Sequence, residues 1–594
     1  MQLVINDQYR VIFLILPVKI NIYLIGFHSG NKKEKAMNWK KLWIGTLIVI
    51  IAGLGFYSFN RDQKNFEIAK NLEIYYTLFR ELNMFYVDDV NPNKLVKTSI
   101  EEMLESLDPY TNFISEDQME DFRFMTTGEY AGIGALIGQQ KGKIVISEPY
   151  EGFPAQKFGL KAGDVILEVE GKSTENMTTE DVSNLLRGPT NKPVKIKAQR
   201  PGEKKPFELD VVREKINIDP VPYYGMVENN TAYIRLSQFT ANCSDDVKKA
   251  FLELKKNDPE ALILDLRGNG GGLLQEAVKI VNLFVPKGSE IVSTKGKVKQ
   301  WDKTYTATSA PLDTSIRISV LTNRGSASAS EIVAGAIQDL DRGLVIGSRT
   351  FGKGLVQTTR DLAYNSKLKV TTAKYYIPSG RCIQALDYSH RNEDGSVGHV
   401  PDSLISEFTT KKGRKVYDGG GIVPDIVLGP EQLSNLGIGL ITNFLVFDFA
   451  TKFANQTESI AQPEKFEITD EIYSQFSAFV KENEFEYESE SKHMLEDLIE
   501  KAKEEKYYEL ASGEFEQIKA KLEPQLDKDL TVFSKEIKSL LKNEIVSRFY
   551  YQKGAIQASI GEDKVILKAV DELKSPMSYT SYFEPGIIIT MKRP

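Results

Sequence analysis

The spacing of apolar residues predicts a helical start followed by a β-rich stretch. Between residues 66 and 124, apolar side chains recur every three or four positions, which is typical of helices, and a turn at Leu107–Tyr110 interrupts them. From 128 to 213, short alternating segments between glycines and prolines predict strands. One helix is expected within that stretch, over Thr179–Leu186.

The stretch 216–428 alternates short apolar strands with amphipathic helices, which favours an α/β domain. Its predicted elements are a strand at Ala261–Leu266, a helix at Gln275–Phe284, a strand at Ile316–Thr322, a helix at Ser328–Leu340 and a strand at Leu344–Gly347. Beyond Pro430 the chain is rich in Glu and Lys with helical periodicity, which predicts an accessory helical domain. The helices predicted there are Met494–Tyr508, Gly513–Leu541 and Lys564–Leu573.

The N-terminal part predicts a membrane anchor. Leu42–Phe59 is an uncharged run of 18 residues, about the minimum for a membrane-spanning helix. Lysines precede it, and since positive flanks stay cytoplasmic, the chain after the run is expected outside the cytoplasm. A cleaved signal peptide is the alternative, but no A-x-A-like site follows the run. Met37 opens a natural signal-anchor start, so we expect residues 1–36 to be an upstream leader.

Composition and charge exclude several functions. The net charge is −7, made of +5 in residues 1–60 and −12 in the remainder, which argues against nucleic-acid binding. Two cysteines exclude a disulfide scaffold and a cysteine-built metal site, and four histidines argue against a histidine-built one. We therefore expect no metal and no other cofactor.

Two glycine-containing segments in the β-rich stretch predict a site for peptide tails. Gly132–Ile137 is a glycine-flanked strand start, and residues 152–167 contain the run Gly-Leu-Lys-Ala-Gly-Asp-Val-Ile. Small residues let backbone N–H groups converge on a carboxylate, and an open strand edge accepts an added strand. The alternative is that the glycines are ordinary turn residues. Together the segments resemble a PDZ domain. The resemblance implies four peptide-binding residues, Gly132, Ile133, Gly134 and Ala135.

A glycine-rich turn at Asp265–Gly272 follows a predicted buried strand directly. Such a turn exposes backbone N–H groups at the end of the strand. A phosphate-binding loop is excluded because the Gly-Lys-Ser/Thr ending is missing and because an exported domain lacks an ATP supply. An oxyanion-binding site fits the turn better.

A serine-rich segment, Thr322–Glu331, bridges a strand and a helix and contains Ser326, Ser328 and Ser330. A serine at a helix N-terminus gains exposed N–H groups and a dipole that favours developing negative charge. Helix capping is the alternative role for all three serines, and the segment alone does not decide between a cap and a nucleophile.

Lys353 lies between two glycines just after a predicted strand. A lone lysine is usually a solvated surface charge. A serine nucleophile needs a base, however, and a buried lysine can serve because burial disfavours the ammonium. The histidines occupy less suitable places, an N-terminal apolar stretch, the flanks of a polar loop and the helical tail: His28, His390, His399 and His493.

The serine-rich segment and the segment around Lys353, together with the PDZ-like segment before them, closely resemble the C-terminal processing peptidases, or tail-specific proteases. The resemblance covers about residues 70–430. The resemblance implies that Ser328 is the nucleophile, that Lys353 is the general base and that Gln357 orients the lysine amine. It also implies an oxyanion hole formed by backbone N–H groups, one from Ala329 and one from the turn, at Gly270 or Gly271.

The fold class implied is α/β, a ClpP/crotonase-like protease core with an inserted β-rich PDZ domain, an N-terminal helical region and a C-terminal helical domain. The expected division is a leader at 1–36, a signal anchor at 37–60, the N-terminal helical region at 62–125, the PDZ domain at 126–214, the serine protease core at 215–430 and the helical domain at 431–594.

The implied function is an extracytoplasmic serine endopeptidase, anchored by one helix in a bacterial inner membrane with its catalytic body in the periplasm. Its expected partners are protein or peptide substrates bound by their C-termini, and the resemblance allows a homodimer through the N-terminal helical region. One alternative is a non-catalytic PDZ-type tail-binding scaffold on the same fold. Another is a serine hydrolase that uses His390 or His399 as its base.

Overall fold

The computed structural model describes residues 65–392, 396–429, 432–488 and 490–585. The predicted leader and the predicted membrane anchor, residues 1–36 and 37–60, lie outside the described residues. The chain divides into two compact units, Met1–Val96 and Lys97–Pro594, and the boundary falls within helix α2, Pro92–Glu105.

In the first unit, helix α1 spans residues 65–85, as the apolar spacing predicts. Many of its large apolar side chains are exposed to solvent, among them Phe66, Leu72 and Leu78, each more than 60% exposed. An apolar helix surface of this kind is typical of interaction sites.

The predicted helical run up to residue 124 is wrong at one place. A short strand, β1 (Asn112–Ile114), follows the turn at residue 108 and pairs antiparallel with β18 (Lys367–Tyr376). The backbone of this segment therefore finds its hydrogen bonds in a distant strand, which local periodicity cannot reveal. Helix α3 (Met119–Thr127) then completes the run and ends at Gly128, whose φ is 73°.

A small β domain follows α3. Its strands pair in the order β3-β4-β5-β7-β8, with β6 beside β5, so β3 lies at the edge, while β2 pairs with β9. The predicted helix α5 is confirmed, and the Thr178 hydroxyl caps it by accepting the N–H of Asp181. The elements are β2 Glu129–Gly132, β3 Ala135–Gln140, β4 Lys143–Pro149, α4 Pro154–Lys157, β5 Val165–Val169, β6 Lys172–Ser173, α5 Thr179–Leu186, β7 Pro193–Gln199, β8 Phe207–Val212 and β9 Glu214–Asn217.

The core of the second unit is a mostly parallel sheet in the order β10-β11-β12-β15-β16-β23. Helices α6, α7 and α8 cover one face, and the predicted α/β alternation is confirmed. The elements are β10 Tyr223–Val227, β11 Thr231–Arg235, α6 Cys243–Leu254, β12 Ala261–Asp265, α7 Leu274–Asn282, β15 Arg317–Thr322, α8 Ala329–Asp339, β16 Leu344–Gly347 and β23 Ile426–Val427.

An antiparallel sheet packs beside this core, in the order β1-β18-β13-β14 with β17 paired to β18. Short hairpins extend from it. The remaining strands are β13 Glu290–Gly296, β14 Lys303–Thr306, β17 Leu355–Asp361, β19 Leu386–Arg391, β20 Val397–His399, β21 Glu407–Thr409 and β22 Lys415–Tyr417.

A helical domain follows, with its own apolar core. The single helix predicted over Gly513–Leu541 is wrong, because the chain breaks near Pro524, which lacks an N–H to donate, and again near Phe533. The helices are α9 Asn435–Thr442, α10 Leu445–Gln456, α11 Asp470–Glu482, α12 Glu490–Glu504, α13 Tyr508–Leu522, α14 Leu526–Val532, α15 Ser534–Ser559, α16 Lys564–Lys574 and α17 Pro576–Ser581.

The last two helices return to the central sheet. Ile566, Val570 and Leu573 of α16 pack with Ile263 and Leu321 on the face of the central sheet opposite α8. The central sheet is thus covered on both faces, as a buried parallel sheet requires.

Within the described ranges, no single helix is long and apolar enough to cross a membrane. The pair α9 and α10, bent by 61°, passes the same test of length and composition when taken together.

Candidate active site

The glycine-rich turn after β12 is held by buried polar groups. Asp265 ends the strand and forms ion pairs with Arg235 and Arg267, at 2.9 and 2.6 Å. Asn269, also fully buried, donates its side-chain amide to the Leu236 carbonyl at 2.9 Å. These contacts fix the turn as a rigid support, since buried charges and amides persist only when they are paired.

The serine-rich loop is tied to the same turn. The Ser330 hydroxyl donates to the carbonyl oxygen of Asn269 at 2.8 Å, and the N–H of Ala327 donates to that oxygen at 3.0 Å. The Ser326 hydroxyl donates to the Leu266 carbonyl at 2.8 Å. Both serines are fully buried, so their roles are structural.

Ser328 differs from its two neighbours. It precedes helix α8 with φ 56° and ψ −110°, a conformation that is strained for a residue with a side chain. Its hydroxyl donates to no described residue; it lies opposite the Glu331 N–H in a capping-box arrangement, but without a capping hydrogen bond. It lines a cavity of about 460 Å³. The choice between cap and nucleophile, which sequence left open, therefore favours the nucleophile.

One buried carboxylate joins the serine loop to the lysine loop. Glu331 accepts the backbone N–H groups of Ser328, Gly352 and Lys353, each at 2.8 Å, and the Thr350 hydroxyl at 2.6 Å. Burial raises the pKa of Glu331 to about 7, against these hydrogen bonds, which lower it. Sequence reasoning missed this residue as part of the site, although it lies three positions after Ser328, the spacing of a capping box.

A tyrosine bridges the same two residues from β18. The hydroxyl of Tyr375 lies 3.0 Å from the carbonyl oxygen of Ser328 and also contacts the carbonyl oxygen of Lys353. Tyr375 is 1% exposed. The backbones around the candidate nucleophile and base are thus fixed on two sides.

The glycines around Lys353 allow close packing. A Cβ at Gly352 would lie 2.4 Å from Ala385 Cβ, and one at Gly354 would lie 2.8 Å from the Gln384 nitrogen. The Gly354 N–H donates to the Gln384 side chain at 2.7 Å. The Gly-Lys-Gly sequence therefore lets the backbone lie against residues 384 and 385 while the lysine side chain reaches the cavity.

Lys353 lines the same cavity as Ser328. Burial, and after it the positive charge of Lys369, lower its pKa to about 8, while Asp108 and Glu331 act in the opposite direction. Its Nζ lies 4.1 Å from the centroid of the Tyr110 ring. A substantial neutral fraction of this amine exists near pH 8, which suits a general base.

Gln357 lies on β17 and also lines this cavity. Its side-chain amide donates to the Thr371 hydroxyl at 3.1 Å, which orients the amide. The structure thus brings Ser328, Lys353 and Gln357 to one cavity.

Two backbone N–H groups were expected to bind an oxyanion, one from Ala329 and one from either Gly270 or Gly271. Ala329 is the first residue of α8, where N–H groups lack an intrahelical partner, and it lines the cavity with Gly270 and Gly271. The N–H of Gly271 donates to Asn269 Oδ1 at 2.9 Å, whereas that of Gly270 has no partner within the described part of the chain. The geometry therefore favours Ala329 and Gly270 as the donors.

Three of the four predicted tail-binding residues line a second cavity, of about 330 Å³, between β3 and α5. Gly132, Ile133 and Ala135 contribute to its wall. Gly134, which is not part of that wall, has φ 72°, and a Cβ there would lie 2.5 Å from Phe153 Cβ. Since β3 is an edge strand, the groove offers an open edge beside a helix.

The histidines give no support to a histidine base. His399 is exposed and does not line the Ser328 cavity, and His493 lies 3.3 Å from Glu488 on the helical domain. The side chain of His390 lies outside the described residues. In the part of the chain that the structure describes, no group of three or more His, Cys, Asp or Glu residues could hold a metal ion.

Comparison with known proteins identifies three of the expected domains. Residues 230–389 match the model of peptidase family S41, residues 145–200 match a PDZ domain, and residues 436–573 match the C-terminal helical domain of probable PDZ-proteases. The PDZ match supports binding of peptide C-termini. These matches confirm the expected fold class, and they include the C-terminal helical domain.

Relatives that align over most of their own length support the same assignment. A carboxy-terminal-processing protease of Bartonella bacilliformis is 35% identical over 378 residues, 63% of this chain and 81% of that protein. A probable CtpA-like serine protease of Staphylococcus aureus is 31% identical over 458 residues, 75% of this chain and 88% of that protein. A solved photosystem II D1 C-terminal processing protease aligns at 30% identity over 60% of this chain and 87% of that chain, with a TM-score of 0.34. This chain therefore belongs to peptidase family S41, as a C-terminal processing serine peptidase that carries a PDZ domain.

Proposed function

We propose that this peptidase is anchored in the membrane, acts outside the cytoplasm and cleaves its substrates with Ser328 and Lys353, assisted by Gln357. One observation carries the catalytic part of the proposal. The Ser328 hydroxyl, at positive φ and with no hydrogen bond to the described residues, shares a cavity with a lysine whose pKa is lowered to about 8. A free hydroxyl beside a partly neutral amine is the arrangement that a Ser–Lys dyad needs.

The mechanism begins with a proton transfer. Neutral Lys353 accepts the proton of the Ser328 hydroxyl as Oγ attacks the scissile carbonyl carbon. The N–H groups of Ala329 and Gly270 stabilise the oxyanion that forms. The Lys353 ammonium then gives its proton to the leaving amine, and the acyl-enzyme remains on Ser328. Water attacks that ester while Lys353 takes its proton; the bond from the carbonyl carbon to Ser328 Oγ then breaks, Oγ takes the proton back from Lys353, and the acid product leaves.

Gln357 orients the base in this scheme. Its amide nitrogen is held by Thr371, so its carbonyl oxygen is the acceptor that it can offer to the Lys353 ammonium. An acceptor at a fixed place limits the rotamers of the lysine, which keeps the amine near the nucleophile.

Replacement of the two reacting residues tests the dyad. Ser328→Ala and Lys353→Ala should each abolish hydrolysis of β-casein by the full chain, while Lys374→Ala, an exposed lysine on β18, should retain it. An acylating probe should label the wild type at Ser328, as read by peptide mass spectrometry. Activity in Lys353→Ala close to that of the wild type, or labelling at another serine, contradicts the proposal.

Substrate tails are proposed to enter the groove between β3 and α5. An extended peptide can pair with the free edge of β3, and its terminal carboxylate can meet the backbone N–H groups of the segment Gly132–Ala135. Leu136 is 51% exposed and lines this groove, so apolar side chains of the tail have a surface to contact.

The terminal carboxylate provides the test of tail binding. A fluorescent peptide with a free C-terminus and apolar last residues should bind Ser328→Ala protein, and the same peptide with a C-terminal amide should bind at least tenfold more weakly, since a charged hydrogen bond is lost. Equal affinities for the two peptides would show that the groove does not read the terminus.

The anchor proposal depends on the run Leu42–Phe59 and on the lysines that precede it. The full chain should sediment with membranes, and a chain without residues 1–60 should not. Protease added to spheroplasts should digest the catalytic body if it lies outside the cytoplasm. Protection of that body until detergent is added contradicts the proposed orientation.

The exposed apolar surface of α1 supports a homodimer through this helix. Light scattering should give twice the chain mass for a protein that lacks residues 1–60. Leu72→Glu, which places a charge on this surface, should then give the mass of one chain. A single-chain mass for both proteins contradicts this part of the proposal.

A further inference from the structure

The turn that precedes β1 reaches the candidate base from a distant part of the chain. The Tyr110 ring centroid lies 4.1 Å from Lys353 Nζ, and no described residue forms a hydrogen bond or ion pair with that nitrogen. We propose that Tyr110 is a positioning residue for Lys353, because its ring covers the amine and determines where it lies in the cavity shared with Ser328. The inference rests on the proposed Ser–Lys chemistry.

The turn itself is fixed by one buried carboxylate. Asp108, 7% exposed, accepts the backbone N–H groups of Tyr110 and Thr111 at 2.9 Å each, and it accepts the Thr111 hydroxyl at 3.0 Å. These hydrogen bonds orient the backbone of Tyr110 before its side chain makes any contact. The Tyr110 side chain therefore extends from a fixed backbone position.

The same turn is hydrogen-bonded to the residue that orients Gln357. The Thr371 N–H donates to the Thr111 hydroxyl at 3.2 Å, and the Thr371 hydroxyl donates to Asp108 at 3.2 Å. That hydroxyl also accepts the Gln357 amide at 3.1 Å. A continuous chain of hydrogen bonds thus joins the turn to β18 and to Gln357, so Lys353 and Gln357 share one support.

The far side of the Tyr110 ring is also in contact. Tyr388 packs edge-on against it, with ring centroids 5.9 Å apart and planes at 85°, and the two hydroxyl oxygens lie 3.5 Å apart. Edge-to-face packing limits rotation of the ring. Tyr110 is therefore a rigid surface for the lysine.

The ring acts on Lys353 in two opposite ways. It excludes water from the amine, which lowers the pKa, and its π face attracts an ammonium, which raises it. The charged and titratable groups that also face the lysine are Lys369 on β18, Asp108 in the turn, Glu331 on α8 and the buried hydroxyl of Tyr375. Substitutions that remove one effect and keep the other should therefore shift the Lys353 pKa in opposite directions, and a pH profile of the activity measures that shift.

Three substitutions at Tyr110 separate the exclusion of water from the attraction of the ammonium by the π face. Tyr110→Phe keeps the ring, so kcat and the inflection of kcat/KM against pH should stay within about twofold and at the wild-type pH. Tyr110→Leu keeps apolar cover without a π face, so the inflection should move to lower pH. Tyr110→Ala exposes the amine to water, so the inflection should move to higher pH and kcat should fall at least tenfold.

The experiment measures β-casein hydrolysis by the full chain from pH 6 to pH 10 for these variants. Tyr364→Ala, at a tyrosine 94% exposed, is the matched control and should behave as the wild type. Thermal unfolding and binding of a tail peptide report whether each variant is folded. If Tyr110→Ala does not fold, the Phe and Leu variants decide.

Two results overturn the inference. One is a wild-type kcat and inflection in Tyr110→Ala, or in Tyr110→Leu where the Ala variant is unfolded. The other is a loss in Tyr110→Phe as large as that in Tyr110→Ala, which would assign the effect to the hydroxyl and not to the ring. Failure of the dyad itself gives a different result, because Lys353→Ala would then remain active.

Discussion

Oε2 of Glu331 accepts the backbone N–H of Lys353 at 2.8 Å. The same oxygen accepts the N–H of Ser328 at 2.8 Å, so one atom fixes the backbones of both candidate catalytic residues. The lysine loop follows the serine loop by more than twenty residues, and a carboxylate with two lone pairs on each oxygen can hold both.

Glu331→Gln should impair catalysis more than substrate binding. An amide replaces one acceptor oxygen by a donor nitrogen that faces N–H groups, so at least one of the four hydrogen bonds is lost. We expect kcat to fall about 10- to 100-fold with a smaller change in KM, and the free energy of unfolding to fall by about 2–3 kcal/mol. Steady-state kinetics and urea unfolding measure both.

Tyr375→Phe is the comparison for that variant. It removes the other bridge between the two backbones and leaves the Glu331 hydrogen bonds in place. Its loss of kcat should be smaller, because a neutral hydroxyl contributes about 1 kcal/mol. A Glu331→Gln enzyme with wild-type kcat would show that this carboxylate does not position the dyad.

The pH dependence should report Lys353. In the proposed mechanism the neutral amine of Lys353 is the base. Because its pKa is about 8, kcat/KM should rise with pH below 8 and level off above it. Lys369→Met removes a positive charge that lowers this pKa, so the inflection should move to higher pH. The exposed-lysine variant Lys374→Met should leave the inflection unchanged, and a downward shift in Lys369→Met would contradict the assignment.

Lys353 should also limit stability at neutral pH. Its folded-state pKa of about 8 lies below the ordinary lysine value of 10.5, so its burial penalty is absent above pH 10.5, develops as the pH falls to 8 and is complete at pH 7. Lys353→Met should therefore raise the free energy of unfolding by about 1–2 kcal/mol at pH 7, after allowance for partial exposure. Thermal unfolding across pH 7–10 measures this, and the gain should shrink as the pH rises.

Gly270 and Gly271 should differ sharply in the stability that is lost when each is replaced by alanine. Gly271 has φ 99°, and a Cβ there would lie 2.7 Å from the Ala327 carbonyl oxygen and 2.8 Å from Ser328 Cβ. Gly271→Ala should cost about 1–3 kcal/mol of stability and displace Ser328. At Gly270 no atom lies within 4 Å of such a Cβ, so Gly270→Ala should leave stability within about 0.5 kcal/mol. Urea unfolding of the pair measures the contrast, and equal losses would contradict it.

Local patterns predicted most elements because they depend on neighbours in sequence. Helix α5 and strand β16 have the predicted bounds, since a cap and a short apolar run are local signals. Strand β1 was missed because it exists through its pairing with β18, some 250 residues away. The long helix predicted over Gly513–Leu541 ignored Pro524, a signal that was present in the sequence.

In the candidate site, too, local sequence signals were predictable and long-range contacts were not. Short motifs with a chemical reason for their residue types predicted Ser328 and Lys353, the family resemblance predicted Gln357, and the structure places all three along one cavity. Tyr110 and Asp108 were interpreted only as a turn, because their contacts with Lys353 and Thr371 cross more than 240 positions of chain. No spacing rule connects residues so far apart.

By itself, the sequence determined the order of the elements, the acidic body behind a basic N-terminus and the residue types that carry the chemistry, because periodicity, charge and motifs are local properties. Only the tertiary structure decided which of three serines has a free hydroxyl and which turn glycine keeps a free N–H. Those outcomes depend on hydrogen bonds from Ser326 to Leu266, from Ser330 to Asn269 and within the glycine turn. They form only when separate segments pack together and satisfy their buried polar groups.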